Sequence, residues 1–126
     1  MTAYARTLTR ILVVEDEPKL RHSIAEGLSL EDFLVTSAAS AGEALLHLES
    51  RTFDTVVLDL MLPDYDGLEL VRRIRARGDA TPVLVISARA GLTLKTEVYE
   101  AGANDFLAKP FSFDELLQHA KALAKG

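Results

Sequence analysis

Acidic side chains follow two apolar runs of this chain and could together bind a metal ion. The run Ile11–Val14 leads into Glu15 and Asp16, and the run Val56–Leu58 leads into Asp59. Short runs of β-branched and apolar residues are typical of strands buried in a parallel sheet. Clustered carboxylates repel one another, and a divalent cation usually neutralises this charge. Mg²⁺ favours such all-oxygen sites. We therefore expect these carboxylates to hold Mg²⁺.

A hydroxyl group and an amine follow two later apolar runs. Pro82–Ile86 leads into Ser87, and Asn104–Leu107 is followed, after one alanine, by Lys109. The carboxyl ends of parallel strands meet at one edge of a sheet, where open α/β sheets bind their ligands. Asp59 could then be a nucleophile that forms an aspartyl phosphate, while a metal ion, the amine and the hydroxyl each stabilise part of the phosphoryl charge. Taken singly, the three residues could be a turn carboxylate, a strand-end hydroxyl and a surface lysine, but their combination favours a phosphoryl site.

Strands and helices are predicted to alternate along the whole chain. A further short strand is predicted at Phe33–Val35. Helices are predicted to begin near Pro18, near Ser40, after the turn at 63–67, near Thr93 and near Ser112. Ser40–Glu43 and Ser112–Glu115 have the pattern of a capping box. Strict alternation of strand and helix is typical of a parallel sheet with helices on both faces.

Apolar residues at helical spacing predict which side chains the helices bury. These positions are Leu20, Ile24, Leu28, Leu45, Leu48, Ile74, Leu116 and Leu123. The arginines near the end of the third helix are predicted to form a solvated face favoured by the helix C-terminus. They are Arg72, Arg73, Arg75 and Arg77. The histidines are predicted to be exposed and to bind no metal; they are His22, His47 and His119.

Size and composition favour a single domain of 126 residues, with residues 1–9 as a polar lead. Hydrophobic residues make up 48% of the chain, which is enough for a core, and the absence of cysteine excludes disulfides, thiolate zinc sites and cysteine nucleophiles. The net charge of −5 is a poor match for nucleic acids and anionic membranes. No apolar run approaches the roughly 20 residues that span a bilayer, and none near the start has the length of a signal peptide. We expect a soluble, cytoplasmic protein.

Five motifs in the right order make the chain resemble the receiver domains of two-component response regulators. The motifs are Glu15-Asp16, Asp59 with Met61-Leu62-Pro63-Asp64, Asp66-Gly67, Ser87-Ala88, and residues Ala101–Phe111. The resemblance runs from about Arg10 to the C-terminus. It implies a flavodoxin-like α/β fold of five strand–helix units. The doubly wound parallel sheet would have the strand order 2-1-3-4-5, with its switch point between strands one and three.

The resemblance also assigns the phosphorylated residue and the metal ligands. Asp59 would accept a phosphoryl group from a histidine kinase or a histidine phosphotransfer protein. Asp16 and Asp59 would bind Mg²⁺ through their side chains and Met61 through its backbone carbonyl. Glu15 would support the metal through water. Because phosphorylation adds negative charge to an acidic pocket, the metal would be required.

The residues that respond to phosphorylation are assigned by the same resemblance. Lys109 would contact the phosphoryl oxygens, Ser87 would turn toward them, and Phe106 would swing inward as an aromatic switch that works by packing alone. The Lys109–Pro110 peptide bond would be cis, at small cost. The altered surface would comprise the fourth helix, fifth strand and fifth helix. It would regulate a partner protein or an output domain, or pair with a second phosphorylated copy, while the domain itself would contact neither nucleic acid nor membrane.

Two other functions remain open at the level of sequence. A Mg²⁺-dependent phosphatase of the haloacid dehalogenase type also uses a strand-end aspartate, but it needs a second aspartate two residues later, where this chain has Met61. A receiver-like binding module without phosphorylation would have no need of the residues Asp16, Asp59, Ser87 and Lys109. We therefore expect a signalling domain that catalyses only its own phosphotransfer and dephosphorylation. Residues 89–95 are less typical of the family than their flanks, so the partner surface is the least defined part of the resemblance.

Overall fold

The computed structural model describes residues 8–89 and 91–125 of the chain, in which strands and helices alternate. The strands are β1 (Thr9–Val14), β2 (Phe33–Ala38), β3 (Thr55–Asp59), β4 (Val83–Ser87) and β5 (Asp105–Ala108). The helices are α1 (Pro18–Ser29), α2 (Ala41–Ser50), α3 (Gly67–Ala76), α4 (Leu92–Ala101) and α5 (Phe113–Ala124). Every predicted strand and helix is present, in the predicted order.

The strands form one parallel sheet in the order β2-β1-β3-β4-β5. This order confirms the predicted doubly wound, flavodoxin-like fold. The winding reverses between β1 and β3, and the loops that follow strands at such a switch point diverge and leave a crevice. The register pairs Val14 with Leu58, so the loops after β1 and β3 leave the sheet at nearly the same level.

Alternate residues of the central strands form two apolar layers, one on each face of the sheet. Leu12 and Val56 pack with buried residues of α2, α3 and α4. Ile11 and Val57 pack with buried residues of α1 and α5. Burying one such aliphatic side chain contributes about 1.5–3 kcal/mol. The two layers therefore hold the sheet, and with it the residues at its carboxyl edge, in a fixed geometry.

Two strands, β1 and β2, extend at one end by two or more residues beyond the apolar runs that predicted them. β1 begins at Thr9, two residues earlier than predicted, and so includes the last residue of the predicted lead. Residues 1–7 of that lead lie outside the described residues. β2 continues to Ala38 instead of ending at Val35, because residues 36–38 continue the backbone pairing with β1. Pairing with a neighbouring strand thus extends a strand past its hydrophobic stretch.

One of the two predicted capping boxes is confirmed in full. At α5, the Ser112 hydroxyl accepts the Glu115 N–H and the Glu115 carboxylate accepts the Ser112 N–H. At α2, the Ser40 hydroxyl accepts the Glu43 N–H at 3.2 Å, but the Glu43 carboxylate accepts the N–H of Ala39 instead.

Within the described residues, no helix combines the length and the hydropathy that crossing a bilayer requires.

Burial of the helices follows the prediction with three exceptions. Leu20, Leu45 and Leu123 are only partly buried, because each lies at the margin of an apolar layer. In α2, the fully covered neighbour of Leu45 is Ala44, which is 0% exposed. The small side chain of Ala44 allows α2 to lie close to the sheet.

Arg75 and His119, which were predicted to be solvated, instead join different elements. Arg75 Nε donates to the Gly102 carbonyl at 3.0 Å, and its Nη2 donates to Asn104 Oδ1 at 2.9 Å, which ties α3 to the connection between α4 and β5. Gly102 has a φ of 113°, and a Cβ at this position would lie 2.8 Å from Cγ of Arg75, so glycine permits the approach. His119 of α5 is partly buried and contacts the carboxylate of Asp105 in β5. The predicted exposure is therefore wrong for Arg75 and His119, and also for His47 of α2, which is partly buried.

Candidate functional site

The acidic residues after β1 and at the end of β3 lie side by side at the carboxyl edge of the sheet. Val14 is paired with Leu58, so the next residues, Glu15 and Asp59, stand at the same level of adjacent strands. Carboxylate oxygens of Glu15, Asp16 and Asp59 all lie within 4.8 Å of one another. The fold thus brings together the three carboxylates that the sequence predicted would cluster.

Lys109 lies against two of these carboxylates. Its Nζ is 2.6 Å from Asp59 Oδ2 and 3.1 Å from Glu15 Oε1. Partial burial by itself would lower the pKa of the Lys109 ammonium, but the contacts with Asp59 and Glu15 outweigh burial and raise this pKa above its ordinary value. The ammonium therefore stays charged and offsets part of the negative charge of the cluster.

The two carboxylates in contact with the ammonium are buried, whereas the third faces solvent. Glu15 is 0% exposed and Asp59 is 3% exposed, while Asp16 is exposed. Burial raises the pKa of Glu15 to about 7, because the ionised carboxylate loses its hydration; the N–H of Glu17 opposes this change, and the neighbouring Asp59 adds to it. A proton on Glu15 can therefore relieve the excess negative charge near neutral pH.

The loop after β3 folds back tightly around Asp59. Asp59 Oδ1 accepts the Met61 N–H at 2.9 Å, and Met61 forms an isolated antiparallel bridge with Asp66. The Gly67 N–H donates to the Leu60 carbonyl at 2.9 Å. A Cβ on Gly67 would lie 2.6 Å from the Cα of Leu60, so this close approach requires glycine. The turn holds the backbone of Met61 beside the carboxylate of Asp59.

Two residues that were not assigned to the site hold its loops in place. Asp64 accepts the N–H groups of Ala41 at 3.0 Å and of Gly42 at 2.9 Å, which ties the loop after β3 to the first turn of α2. Arg21 of α1 donates to the backbone carbonyls of the acidic pair after β1, at 2.9 and 3.2 Å. Neither contact has a local sequence signature, because the fold brings the partners together.

Ser87 lies at the end of β4 with its side chain fully buried. Its hydroxyl oxygen accepts the Arg89 N–H at 3.0 Å, and its carbonyl accepts the Lys109 N–H at 2.8 Å. Phe106 is partly buried and packs against the apolar layer on the side of α2, α3 and α4. The peptide bond between Lys109 and Pro110 is cis, which is the isomer that the family resemblance implies.

An open cleft of about 610 Å³ lies next to the acidic cluster. Its polar and charged lining includes Asp16, Asp64, Tyr65, Asp66 and Arg89. Through Asp16 the cleft connects the cluster to solvent, so a small ion or a phosphoryl donor could enter here. Three carboxylates face one ammonium at this edge of the sheet, and this excess of hard oxygen ligands fits Mg²⁺ better than a soft metal.

Comparison with known sequences supports one family. Residues 11–121 match the family model described as the response regulator receiver domain. The chain is 42% identical over 116 residues to the response regulator MprA of Mycolicibacterium vanbaalenii, and 41% identical over 116 residues to the transcriptional regulatory protein TcrA of Mycobacterium tuberculosis. Each alignment covers 92% of this chain but only 50% and 46% of those proteins, so the chain spans about half the length of the curated relatives it matches.

Solved structures are similar over nearly the whole chain. The receiver domain of the Francisella response regulator 1452 has a TM-score of 0.90 at 32% identity, and the match covers 93% of this chain and 97% of that one. The chemotaxis response regulator CheY4 of Vibrio cholerae has a TM-score of 0.88 at 28% identity, with 93% and 99% covered. Fold, sequence match and relatives agree, and this chain therefore belongs to the family of response regulator receiver domains.

Proposed function

We propose that this receiver domain is a phosphorylation-activated signalling switch in which Asp59 accepts the phosphoryl group. The proposed donor is a histidine kinase or a histidine phosphotransfer protein, and the reaction is proposed to depend on Mg²⁺. The observation that carries the proposal is the ion pair between the buried Asp59 and the partly buried Lys109, 2.6 Å apart, inside a cluster of three carboxylates of which two are buried. Two buried carboxylates side by side are a costly way to stabilise a fold, so a chemical role is the better explanation.

The side chains around Asp59 suit transfer from a phosphohistidine. A carboxylate oxygen of Asp59 would form a bond to phosphorus as the phosphorus–nitrogen bond breaks, and the leaving electron pair would return to the imidazole ring. The Lys109 ammonium, which contacts the Asp59 carboxylate before transfer, could contact the phosphoryl oxygens after transfer. The Ser87 hydroxyl would leave the Arg89 N–H and donate to another phosphoryl oxygen. Hydrolysis would restore the free carboxylate, so the domain would catalyse only its own phosphorylation and dephosphorylation.

The proposed Mg²⁺ ligands come from the same edge of the sheet. They are Asp16, Asp59 and the backbone carbonyl of Met61, with Glu15 acting through water. When bound, Mg²⁺ would neutralise part of the charge shared by the carboxylates and the phosphoryl oxygens. The phosphoryl group would carry roughly −1.5 to −2 charges in place of the single charge of the Asp59 carboxylate. Lys109 supplies one positive charge, which is too little to balance the phosphoryl group together with the carboxylates of Glu15 and Asp16.

An apolar pocket beside Lys109 is the proposed contact for the phosphodonor protein. The pocket measures about 450 Å³ and its other lining residues are Leu20, Ala88, Pro110 and Phe111. It opens between α1 and the loops after β4 and β5, close to the acceptor carboxylate. An apolar side chain of a partner buried here would bring its phosphohistidine to the edge of the sheet.

The proposed output surface is formed by α4, β5 and α5. Movement of the Ser87 hydroxyl would loosen the loop before α4 and leave room for Phe106 to turn inward. This surface is proposed to regulate a partner protein or an output domain in the cytoplasm, or to pair with a second phosphorylated copy. The chain covers about half of MprA and TcrA, so any transcriptional role is proposed to require a part of a longer protein outside these residues.

Intact-mass spectrometry tests the acceptor directly. Phosphoramidate with Mg²⁺ should add one phosphoryl group to the wild-type domain, and EDTA should prevent the addition. Asp59→Asn should abolish the adduct, because the amide cannot form the acyl phosphate. Asp114→Asn, which changes an exposed aspartate of α5, should be phosphorylated normally. An absent wild-type adduct, or an adduct that persists in Asp59→Asn, would refute the proposal.

A further inference from the structure

Arg21 lies outside the acidic cluster yet holds the backbone that carries it. The residue belongs to α1, and its Nη1 donates to the carbonyl oxygen of Glu15 at 2.9 Å and to that of Asp16 at 3.2 Å. These are the first two of the three carbonyls between β1 and α1. A single guanidinium nitrogen therefore bridges both peptide groups of the acidic pair.

The side chain of Asp16 depends on this backbone for its direction. Its carboxylate is exposed, and no hydrogen bond or ion pair to it is found within residues 8–89 and 91–125. The neighbouring residues Glu15 and Glu17, in contrast, form hydrogen bonds of their own. Glu15 is fixed by its N–H to the Ala38 carbonyl at 3.0 Å, and the Glu17 carboxylate caps α1 by accepting the Leu20 N–H at 2.7 Å.

We propose that Arg21 is a positioning residue for Mg²⁺ binding, an inference that rests on the proposed function. The guanidinium fixes the peptide groups on either side of Asp16, so the carboxylate is already near the other two when the ion arrives. Without Arg21, the ion itself would have to order this loop, and its affinity would fall by the cost of that ordering. Contacts that orient metal ligands in this way typically change metal affinity by about ten- to a hundredfold.

The positive charge of Arg21, taken alone, predicts the opposite effect on Mg²⁺ affinity from the proposed positioning role. Arg21 is a cation near a cation site, so removing its charge should tighten Mg²⁺ binding if electrostatics dominates. Lys19 provides a matched control: it is exposed, it lies on the same helix, and its substitution removes one positive charge without touching the two carbonyls. Loss of positioning should therefore weaken Mg²⁺ binding, whereas loss of positive charge should strengthen it.

Isothermal titration with MgCl₂ should compare the wild type with Arg21→Ala, Arg21→Lys and Lys19→Ala. We expect Mg²⁺ to bind Arg21→Ala about tenfold more weakly. Lys19→Ala should bind at least as tightly as the wild type. Arg21→Lys should fall between wild type and Arg21→Ala, because an ammonium can reach one of the two carbonyls. Phosphoramidate kinetics should show a higher half-saturating Mg²⁺ concentration for Arg21→Ala with an unchanged rate at saturating Mg²⁺.

The possible results separate this inference from the function on which it rests. Unchanged or tighter Mg²⁺ binding by Arg21→Ala overturns the positioning role, as do equal changes in Arg21→Ala and Lys19→Ala. A lower rate at saturating Mg²⁺ with an unchanged half-saturating concentration also overturns it. If urea titration shows that Arg21→Ala does not fold, the Mg²⁺ affinity of Arg21→Lys decides whether Arg21 has the positioning role. A wild-type domain that binds no Mg²⁺ overturns the metal dependence of the proposed function itself.

Discussion

At the scale of single residues, a proton on Glu15 and the ammonium of Lys109 both offset negative charge that the fold buries. Lys109 contacts Asp59 at 2.6 Å and Glu15 at 3.1 Å, but one ammonium cannot neutralise two buried carboxylates and the exposed third. An unpaired buried charge costs several kcal/mol. The pKa of Glu15 is raised to about 7 by its burial, so the fold can relieve this cost by binding a proton there. Protonation and metal binding at this edge therefore oppose each other.

The metal-free domain should lose stability as the pH rises from about 5 to about 8. The folded pKa of Glu15 is about 7, above its ordinary value of 4.5, so in the range between them the folded state keeps a proton that the unfolded state has released. Deprotonation at higher pH then removes stability, on the order of 2 kcal/mol in total. Urea unfolding in EDTA across this pH range measures the effect. Saturating Mg²⁺ should reduce the slope, because a cation favours the ionised carboxylate.

The substitution Glu15→Gln is the control for this pH dependence, because an amide keeps the shape of the carboxyl group and has no proton to release. The difference in slope between wild type and Glu15→Gln isolates this one group. Glu17 and Asp64 have lowered pKa values, chiefly because backbone N–H groups bind their carboxylates, so they titrate below this range in both proteins. Equal slopes in the two proteins would show that burial of Glu15 does not cause the effect.

At the scale of elements, one side chain anchors the loop between β3 and α3 to α2. Asp64 accepts the N–H groups of Ala41 and Gly42, which have no partner within the helix. The bond from Gly42 is the largest cause of the lowered pKa of Asp64, and the bond from Ala41 adds to it. Asp64 therefore caps α2 from another loop, alongside the local cap that Ser40 provides for the Glu43 N–H.

Asp64→Ala should loosen this loop and fray the first turn of α2. Losing two capping hydrogen bonds should lower the free energy of unfolding by about 1–2 kcal/mol. Hydrogen exchange at Ala41 and Gly42 should accelerate about tenfold. Exchange at Glu43 should change little, because Ser40 still caps its N–H. Since the pKa of Asp64 is below its ordinary 3.8, the cap should persist at neutral pH and disappear only in acid, as the pH falls through the folded value.

A matched loss of charge distinguishes capping from general electrostatics. Glu97→Ala removes an exposed carboxylate from α4 and should alter neither the stability nor the exchange of α2. Exchange at Ala41 and Gly42 that stays slow in Asp64→Ala would mean that the carboxylate does not hold these groups in solution.

Sequence patterns predicted the elements well but not the contacts between them. The spacing of apolar residues identified every strand and helix, and the Ser112–Glu115 box formed as its pattern implies. The Ser40–Glu43 box formed only in part, because the Glu43 carboxylate accepts the N–H of Ala39, one residue before its predicted partner.

Arg75 was predicted wrongly for a different reason: the partner of a polar side chain can depend on which distant segment the fold brings near. The partners of Arg75, Gly102 and Asn104, lie 27 and 29 residues later in the chain. No local spacing rule can identify such a pair.

At the scale of the whole molecule, the position of the site was easier to predict than the contacts that support it. Parallel strands bring their last residues to one edge, so the apolar runs before Glu15, Asp59, Ser87 and Lys109 were sufficient to place these four together. Arg21 had no comparable signal. It follows the acidic pair by one turn of helix, a position equally suited to a solvated arginine, and only the three-dimensional path of the chain turns it toward the two carbonyls.

The sheet connects the proposed phosphorylation site to the proposed output surface over a short distance. Ser87 ends β4 and accepts the Arg89 N–H at 3.0 Å, at the start of the loop that leads to α4. Ala108 of β5 pairs with Ser87, and Phe106 of the same strand packs against the apolar layer that α4 shares. A new partner for the Ser87 hydroxyl would therefore alter both the loop before α4 and the environment of β5.

Removing this hydroxyl should separate phosphorylation from the change at the output surface. With beryllofluoride and Mg²⁺ as a stable mimic of the phosphoryl group, amide NMR shifts of the wild type should change around Asp59 and also in α4, β5 and α5. In Ser87→Ala the changes should stay near Asp59, because residue 87 can no longer donate to a phosphoryl oxygen. Ser87→Thr keeps a hydroxyl and should restore the wider pattern. Equally wide changes in Ser87→Ala would leave Asp59 as the acceptor but exclude Ser87 as its link to α4.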